Sequence, residues 1–216
     1  MKRSYDDYYW PEYTDIYSNQ TRGMQQDAYD FVIKDSYVED DKIIFKDKFH
    51  GNWKDIYNKI AELKVTSVME CGCGPGHHLY NIKHLFPVVD VFGVDLLETQ
   101  CNHGHVDLKI PSEFYDNITI GDLTIPNIFQ SIGRTFDFVF TQAVTQHLKH
   151  EKAVTFIQNM AGVSGKYIMM KENLNNHDYK FVFEESGILN NFDLKMIPGE
   201  LMPSIFWNGN SYNCHE

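Results

Sequence analysis

The amino-acid sequence predicts an α/β protein in which a mostly parallel β-sheet carries helices on both faces. From residue 65 onward, short apolar runs alternate with stretches that have the apolar spacing of helices, a pattern typical of strand–helix–strand units. A glycine-rich turn joins the first apolar run to the first helix, and an acidic residue follows each of the next two runs. In open α/β sheets, ligands bind at the carboxyl ends of the strands, so these residues predict a binding site there.

The predicted strands and helices follow one another in a regular order along the chain. Strands are predicted at residues 65–71, 88–94, 118–120, 136–140, 166–170, 192–197 and 204–207. Helices are predicted at residues 77–85, 125–132, 151–161 and 178–186. Gly187 is placed to end the last helix, because glycine readily adopts the left-handed conformation of a helix C-terminus. We expect residues 65–216 to form the core, in one compact domain with the region before it.

Residues 1–64 have a different character and are predicted to form a helical cap over the ligand-binding edge. Apolar residues recur at helical spacing at residues 24–32 and again at residues 53–63, with a loop and a short strand near residues 43–45 between them. Residues 8–17, which precede both of these stretches, carry too many large aromatic side chains for a solvated tail: Tyr8, Tyr9, Trp10, Tyr13 and Tyr17. Such a cap would exclude water from the open edge of the sheet. The alternative is that these aromatic residues pack on a distant face or form a dimer contact.

Composition restricts the class of partner. The net charge is -11 over 216 residues, which disfavours nucleic acid and anionic membrane surfaces as general partners. Four cysteines, two of them one residue apart, indicate reduced thiols and not a disulfide framework. The sequence shows neither a signal-peptide pattern nor an apolar run of membrane-spanning length. We therefore expect a cytoplasmic protein that acts on a small molecule.

The glycine-rich turn indicates the kind of cofactor. It contains Gly72, Gly74 and Gly76, directly after Glu70 and Cys71. Glycines allow positive φ angles and let a ligand approach the backbone. Nicotinamide and flavin sites use Gly-x-Gly-x-x-Gly instead, and Glu70 would repel a pyrophosphate but not a sulfonium cofactor with a free ammonium group. The alternative is an ordinary glycine-rich turn between a strand and a helix.

Two further acidic residues end the next two predicted strands. Asp95 could accept hydrogen bonds from both hydroxyls of a ribose, or it could simply cap the following helix. Asp122 could accept a hydrogen bond from an adenine amino group, or it could be a turn residue after Gly121. Three acids at three successive strand ends all fall on one edge of the sheet, which favours the ligand-binding interpretation.

Other clusters of polar residues are interpreted as structural. His103, His105 and Asp107 alternate along the chain, which on a strand would place three metal ligands on one face. The neighbouring polar residues favour a loop there, and no metal site is predicted. Cys71 and Cys73 lie within the glycine turn and are expected to be small packing residues, not nucleophiles.

These motifs, together with residues 136–148, resemble class I S-adenosylmethionine-dependent methyltransferases. The resemblance covers roughly residues 65–207 and implies a Rossmann-like, seven-stranded sheet with a reversed final hairpin. It implies S-adenosylmethionine as methyl donor and S-adenosylhomocysteine as product. Glu70 would lie near the methionine amine, Asp95 would bind the ribose, and Thr141 would lie beside the methionine part. The cofactor-binding set that the resemblance implies is Glu70, Gly72, Cys73, Gly74, Gly76, Asp95, Leu96, Asp122, Leu123, Thr141 and Gln142.

A narrower similarity is to methylases associated with pseudaminic acid and related sugar pathways. It depends on the spacing of Tyr9, Trp10, Tyr13 and Tyr17 and on the Phe-x-x-Val-Phe-Thr-x-x-Val-x-x-His-Leu run that begins at Phe136. The sequence departs from that pattern at residues 175–176 and in its C-terminal third. This similarity implies a sugar or sugar conjugate as the acceptor.

The predicted reaction is methyl transfer to a small polar acceptor, with His147 and Tyr17 as candidate catalytic residues. Because a sulfonium donor is already activated, the protein mainly aligns the acceptor and removes its proton. An imidazole can take a proton at neutral pH, although a His-Leu pair at this position could equally hold the loop. Glu172 and His177 are further candidate bases. The alternatives are methylation of protein or RNA, or a binding module of this fold that has lost catalysis.

Overall fold

The computed structural model describes residues 29–173, 177–197 and 204–209. Nine strands lie within these ranges. They are β1 (Tyr37–Glu39), β2 (Lys42–Ile44), β3 (Ser67–Cys71), β4 (Asp90–Asp95), β5 (Ile118–Ile120), β6 (Phe136–Gln142), β7 (Ser164–Lys171), β8 (Phe192–Ile197) and β9 (Ser204–Gly209).

Six α-helices lie between these strands. They are α1 (Gly51–Leu63), α2 (His77–Leu85), α3 (Glu98–Val106), α4 (Phe129–Ile132), α5 (His150–Val163) and α6 (Tyr179–Ser186). Short 3-10 helices occupy Ser112–Asn117, Thr145–His147 and Ile188–Asn190. No helix in the described ranges is long and apolar enough to cross a membrane.

The main sheet contains seven strands in the order β5-β4-β3-β6-β7-β9-β8. Neighbours from β5 to β7 run parallel, whereas β9 runs antiparallel to both β7 and β8. The predicted seven-stranded, mostly parallel sheet with a reversed final hairpin is therefore confirmed. The chain leaves β3 toward β4 and β5, then crosses back to β6 on the other side of β3. Ligands of open α/β folds bind at such a reversal of strand order.

Each face of the sheet buries its own apolar cluster. On one face, Met69 and Val139 pack with Phe156 and Ile157 of α5. On the other face, Val68 and Phe138 of adjacent strands belong to the cluster that contains Ile56 and Leu79, residues of α1 and α2. Alternation of the side chains along β3 and β6 produces this division, because successive residues of a strand point to opposite faces. The residues just before 65 thus share a core with the sheet, while the predicted boundary at residue 64 stays a prediction.

The N-terminal region follows the sequence prediction only in part. The helix α1 and the short strand near residue 43 are confirmed, the latter as one strand of an antiparallel hairpin that pairs Tyr37 with Ile44. Phe31 and Val32 lie outside any helix, so the helix predicted from their spacing is wrong at these two residues. Met24, Ala28 and the aromatic residues from Tyr8 to Tyr17 lie outside the described residues.

Two predictions between β4 and β6 are corrected. Residues 103 and 105 lie in α3 and not in a polar loop, and His103 pairs through Nδ1 with Asp107 Oδ2 at its end. The helix predicted over residues 125–132 is limited to α4, because Asn127 has φ 61°, outside the helical region. In the turn before α4, Asn159 Nδ2 donates to the carbonyl oxygens of Leu123 and Ile125, both over 2.8 Å. Gly187 ends α6 at φ 70°, as predicted.

Candidate functional site

The carboxyl ends of β3, β4, β5 and β6 open into one cavity, here called the strand-end cavity. The glycine turn after β3, the segments after the other three strands and the first residues of α2 all border it. Its lining combines acidic, amide and aromatic side chains: Phe31, Trp53, Glu70, His77, His78, Asp95, Asp122, Gln142 and His147. The cavity therefore lies at the edge of the sheet where the sequence predicted a ligand.

The three glycines of the turn are required for different reasons. Gly74 lines the cavity at φ +50°, and a Cβ there would meet no atom within 4 Å. At Gly72 a Cβ would come to 2.4 Å from Val144 Cγ2. At Gly76 it would come to 2.7 Å from Ile118 Cδ1, and Gly76 is not among the residues that line the cavity. Only Gly74 therefore leaves free space that a ligand could use.

Asp95 joins the glycine turn to the segment after β4. Its Oδ2 accepts a hydrogen bond from the Gly74 N–H over 2.7 Å, and its Oδ1 accepts one from the Leu97 N–H over 2.8 Å. Burial raises the pKa of this carboxyl, while the bonds from Leu97 and Gly74 oppose the shift. The alternative that Asp95 caps the following helix is wrong, because the N-cap of that helix is Leu97 and no side chain caps it. The Asp95 carboxyl borders the cavity.

Glu70 is a buried acid whose surroundings leave it incompletely bonded. It is 2% exposed and lines the cavity, and its Oε2 has no hydrogen-bond partner among the described residues. Burial, and to a smaller extent the charge of Asp95, raises the pKa of Glu70 well above its ordinary value. A ligand with a positively charged hydrogen-bond donor would relieve both effects, because it pairs the oxygen and favours the charged form.

The segments after β4 and β5 form an apolar section of the cavity. Leu96 and Leu123 line it, the latter only 6% exposed. Beside them, Asp122 Oδ1 accepts hydrogen bonds from the Thr124 N–H over 2.8 Å and from its hydroxyl over 2.7 Å. Asp122 therefore acts as a turn residue while it also borders the cavity. Two leucines and a carboxylate suit a flat, apolar ring with a polar edge.

The remaining predicted cofactor residues divide into two groups. Cys73 and Gln142 line the cavity, and the Gln142 side chain interacts with the buried His78 imidazole. Burial raises the pKa of the Cys73 thiol well above its ordinary value, as expected for a packing residue. Thr141 is fully buried within β6 and, like Gly76, is not brought to the cavity lining.

An aromatic wall, formed by Phe31, Trp53, His77 and His78, borders the cavity beside the start of α2. The Trp53 ring centroid lies 4.9 Å from that of His77 and 5.2 Å from that of His78. Phe31 meets His77 edge-on at 5.5 Å. Burial lowers the pKa of His77 to about 3 and that of His78 well below its ordinary value. Both imidazoles are therefore neutral at physiological pH.

A chain of hydrogen bonds holds this wall together. Asn81 Nδ2 donates to the Phe31 carbonyl oxygen over 2.9 Å and to the Tyr57 hydroxyl over 3.0 Å, and Asn81 Oδ1 accepts from the Ile33 N–H over 2.8 Å. The Tyr57 oxygen lies 2.8 Å from His78 Nδ1. The sequence analysis missed this wall, because it depends on how residues 29–33, α1 and α2 pack together.

The loop after β6 is held by a buried glutamate. Glu172 is fully buried, and its two carboxyl oxygens accept hydrogen bonds from the N–H groups of Val144 over 3.0 Å and Gln146 over 3.2 Å. Burial raises the pKa of Glu172 to about 7. His177 lies 2.8 Å through Nε2 from the carbonyl oxygen of Thr145. Both candidate bases thus support the loop, and neither is among the residues that line the cavity.

His147 is the candidate base that borders the cavity. Gln146 Nε2 lies 2.9 Å from His147 Nε2. Since an amide nitrogen only donates, the histidine nitrogen accepts and the ring proton is on Nδ1. Burial lowers the pKa of His147 to about 4, so the imidazole is neutral at physiological pH. Tyr17, the other predicted catalytic residue, lies outside the described residues.

Comparisons with known proteins agree with the architecture. Residues 68–165 match the family model described as a methyltransferase domain. No curated protein sequence matches the chain, so the narrower similarity to sugar-pathway methylases stays a prediction.

Solved structures share the fold at low sequence identity. Magnesium protoporphyrin IX methyltransferase from Synechocystis PCC 6803, solved with bound SAM (S-adenosylmethionine), is 15% identical, with a TM-score of 0.51 over 73% of this chain and 76% of that one. An amino pentose methyltransferase from Micromonospora echinaspora, also solved with SAM, is 13% identical, with a TM-score of 0.55 over 74% and 91% of the two chains. The predicted resemblance to class I S-adenosylmethionine-dependent methyltransferases is confirmed.

Proposed function

We propose that this protein is an S-adenosylmethionine-dependent methyltransferase that acts on a small polar molecule such as a sugar or sugar conjugate. The observation that carries the proposal is the convergence of Glu70, Asp95 and Asp122 with the glycine turn on one cavity. These three acids come from the ends of three adjacent strands, and each has a counterpart in the parts of a sulfonium nucleoside. The matched methyltransferase-domain model over residues 68–165 supports the same reaction class.

Each part of the cofactor would have a counterpart in the cavity. The unpartnered Oε2 of Glu70 would accept a hydrogen bond from the methionine ammonium group, with Gln142 beside it in the cavity lining. Asp95 would exchange its present bonds in part for those of the ribose hydroxyls. Leu96 and Leu123 would contact the adenine ring, with Asp122 at its polar edge. When bound, the cofactor supplies a methyl group on a positively charged sulfur. An acceptor atom can attack this methyl carbon directly, and the neutral thioether leaves.

The acceptor would bind where the aromatic wall meets the loop after β6. Trp53 and His147 both line the cavity, and a flat aromatic ring packs well against the apolar face of a sugar or another ring. A solved structure with the same fold is that of an amino pentose methyltransferase, which supports a sugar among the candidate acceptors. His147, neutral at physiological pH, would take the proton that a hydroxyl or ammonium acceptor loses.

Calorimetry and a product assay test the proposal. We expect S-adenosylhomocysteine to bind with micromolar affinity, about 8 kcal/mol of binding free energy, and NAD not to bind. S-adenosylhomocysteine release should then be measured with a panel of amino sugars, neutral sugars, nucleotide sugars, an unfolded protein and single-stranded RNA. Binding of NAD without binding of S-adenosylhomocysteine would refute the cofactor. Turnover with only the protein or RNA substrate would refute the small-molecule acceptor, and cofactor binding without any turnover would favour an inactive binding module.

A further inference from the structure

The helix α3 brings one histidine of the alternating His103, His105 and Asp107 to the strand-end cavity. Helical spacing places Gln100, His103 and Asp107 on one side of α3, and Gln100 and His103 both line the cavity. His105 lies on a different side of the helix, where its Nδ1 donates to the Ile110 carbonyl oxygen over 3.1 Å. His105 and Asp107 are not among the residues that line the cavity.

Close packing against the glycine turn holds the backbone of His103 in place. A Cβ at Gly104, the next residue, would overlap the Pro75 carbonyl oxygen and the Tyr115 hydroxyl. The Tyr115 hydroxyl donates to that same carbonyl oxygen over 3.3 Å, and Cys101 Sγ lies 3.7 Å from the Gly74 carbonyl oxygen. The middle of α3 is therefore fixed beside the turn that borders the cavity.

Asp107 fixes the tautomer of His103. His103 Nδ1 lies 2.5 Å from Asp107 Oδ2. A carboxylate can only accept, so Nδ1 donates, and in a neutral imidazole the lone pair is then on Nε2. Within the described part of the chain, no hydrogen bond occupies Nε2, and the His103 side chain is 16% exposed. The imidazole at the cavity thus carries one unused hydrogen-bond acceptor.

His103 lies close to the aromatic wall. Burial, and to a smaller extent the charge that His103 can carry, lowers the pKa of His77, so these two imidazoles are neighbours. His77 belongs to the wall where the methyl acceptor is proposed to bind. The parts of the cofactor already have counterparts at the strand ends, so an unused acceptor beside the wall suits the second substrate. A hydroxyl or amino group donates to such a nitrogen, whereas a carboxylate or phosphate does not.

We propose that His103, held by Asp107, accepts a hydrogen bond from a second hydroxyl or amino group of the methyl acceptor, one that is not itself methylated. The inference rests on the proposed function and deepens it, because it restricts the acceptor to molecules with at least two donor groups, such as sugars. Removal of the proton stays with His147. Asp107 is a positioning residue, since it acts only through His103.

The test removes the proposed hydrogen bond from the protein and from the acceptor separately. The probe is the amino sugar, neutral sugar or nucleotide sugar of the panel with the highest turnover, together with its monodeoxy and deamino analogues. His103→Phe keeps a ring but removes both nitrogens, and it should raise KM for the intact sugar about tenfold or more. For the one analogue that lacks the bonded group, wild type and His103→Phe should have the same KM, because one interaction can be lost only once.

Two further variants assign the effect to the named pair. Asp107→Ala should raise KM for the intact sugar about threefold, because Nε2 is then free to carry the ring proton. His105→Phe makes the same change at an exposed residue of the same helix and is the matched control, with KM as in wild type. All three variants should bind S-adenosylhomocysteine with wild-type affinity in calorimetry.

The outcomes distinguish failure of this inference from failure of the proposed function. Wild-type protein that does not bind S-adenosylhomocysteine, or that methylates only protein or RNA, contradicts the proposed function itself. An unchanged KM in His103→Phe, or an equal increase for every analogue, overturns only the role of His103. Weaker S-adenosylhomocysteine binding by His103→Phe also overturns it, and so does cofactor binding without turnover of any sugar. Should His103→Phe fail to fold, Asp107→Ala, at an exposed residue, decides the matter with the same analogues.

Discussion

Asn81, on the helix that follows the glycine turn, holds the backbone of Phe31 through a hydrogen bond of 2.9 Å from its Nδ2 to the Phe31 carbonyl oxygen. The two residues are 50 positions apart in the chain. Because Asn81 Oδ1 also accepts from the Ile33 N–H, one side chain fixes the segment that brings Phe31 to the strand-end cavity. This buried amide is therefore one of the contacts that hold Phe31 at the site, together with the Asp30–Lys48 backbone bond and the ring of Trp53.

We predict that Asn81→Ala destabilises the protein and also weakens cofactor binding. Loss of the amide removes the hydrogen bonds to the Phe31 carbonyl oxygen and the Ile33 N–H and one of the two bonds of the Tyr57 hydroxyl, which should cost about 2–4 kcal/mol in the free energy of unfolding. Chemical denaturation measures that loss, and calorimetry with S-adenosylhomocysteine measures the second effect. Asn58→Ala, at an exposed residue of α1, is the matched control. Full stability of Asn81→Ala would contradict the role given to these bonds.

A second prediction concerns Gly74, whose neighbourhood differs from that of the other two glycines of the turn. Gly74→Ala places a methyl group in open space at φ +50°, so it should fold with a backbone strain of about 1 kcal/mol. If a ligand passes close to this backbone, the methyl group should weaken S-adenosylhomocysteine binding about tenfold or more.

The control for Gly74 is Gly133, which has φ +70° and likewise no atom within 4 Å of a built Cβ. Gly133 ends α4 and is not among the residues that line the cavity. Gly133→Ala should therefore show the same loss of stability with unchanged affinity. Equal affinities in the two variants would remove Gly74 from the binding site.

The sequence predicted the parts of the fold that depend on local pattern and on strand order. Glu70, Gly74 and Asp95 lie in the predicted cavity because residues at strand ends meet at one edge of a parallel sheet. This placement does not depend on how the other residues pack. The segment around His103 and His105 was expected to be a loop, although it lies in α3, because few apolar residues mark the buried side of that helix. Its buried residues are Gln100, Cys101 and Gly104, so no apolar periodicity was available.

Tertiary hydrogen bonds explain what local pattern could not predict. The carbonyl oxygens of Leu123 and Ile125 bond to Asn159, which is 36 and 34 residues away, in the turn that replaces the first residues of the helix predicted there. Glu172 bonds to backbone groups 28 and 26 residues earlier, so its role as a loop support left no sequence signal. The role of a residue that acts through such distant contacts can be identified only from the structure.

Glu172 leads to a third prediction, that it stabilises the loop after β6 and does not act as a base. Glu172→Gln places an NH₂ group against the N–H of Val144 or Gln146, and one donor then loses its acceptor. We expect a loss of about 1–3 kcal/mol in the free energy of unfolding. Glu151→Gln, at an exposed residue of α5, should be neutral. A Glu172→Gln variant with wild-type stability but no turnover would instead identify Glu172 as a catalytic group.

A fourth prediction is that His77 makes the stability depend on pH. Burial lowers the pKa of His77 to about 3, from 6.5. As pH falls below 6.5, His77 becomes protonated in the unfolded chain but stays neutral in the folded protein. The free energy of unfolding therefore decreases between about pH 6.5 and pH 3. A single group of this kind contributes a slope of up to about 1.4 kcal/mol per pH unit.

His77→Phe keeps the ring contacts with Trp53 and Phe31 and removes the titratable group. The free energy of unfolding of this variant, minus that of wild type, should therefore rise as pH falls from about 6.5 to 4, when both are measured by urea denaturation. His84→Phe, on the exposed face of the same helix, should leave the wild-type slope unchanged. Parallel pH profiles for wild type and His77→Phe would show that the imidazole does not resist protonation.

The last prediction is that His147 takes the proton from the methyl acceptor. The residue lines the strand-end cavity. Its accepting nitrogen, Nε2, is bonded to Gln146 Nε2 in this structure, so the role of base requires His147 to exchange that bond for the proton of the acceptor. His147→Ala should lower kcat by about 10²–10⁴-fold on the acceptor identified by the panel, with S-adenosylhomocysteine affinity unchanged. Because burial lowers the pKa of His147 to about 4, protonation of this base should reduce turnover only near that pH and not near 6.5.

His150→Ala, three residues further along and paired with Glu185 on the surface, should retain turnover. If His147→Ala loses cofactor affinity or thermal stability in proportion to its turnover, the imidazole supports the loop and another group takes the proton.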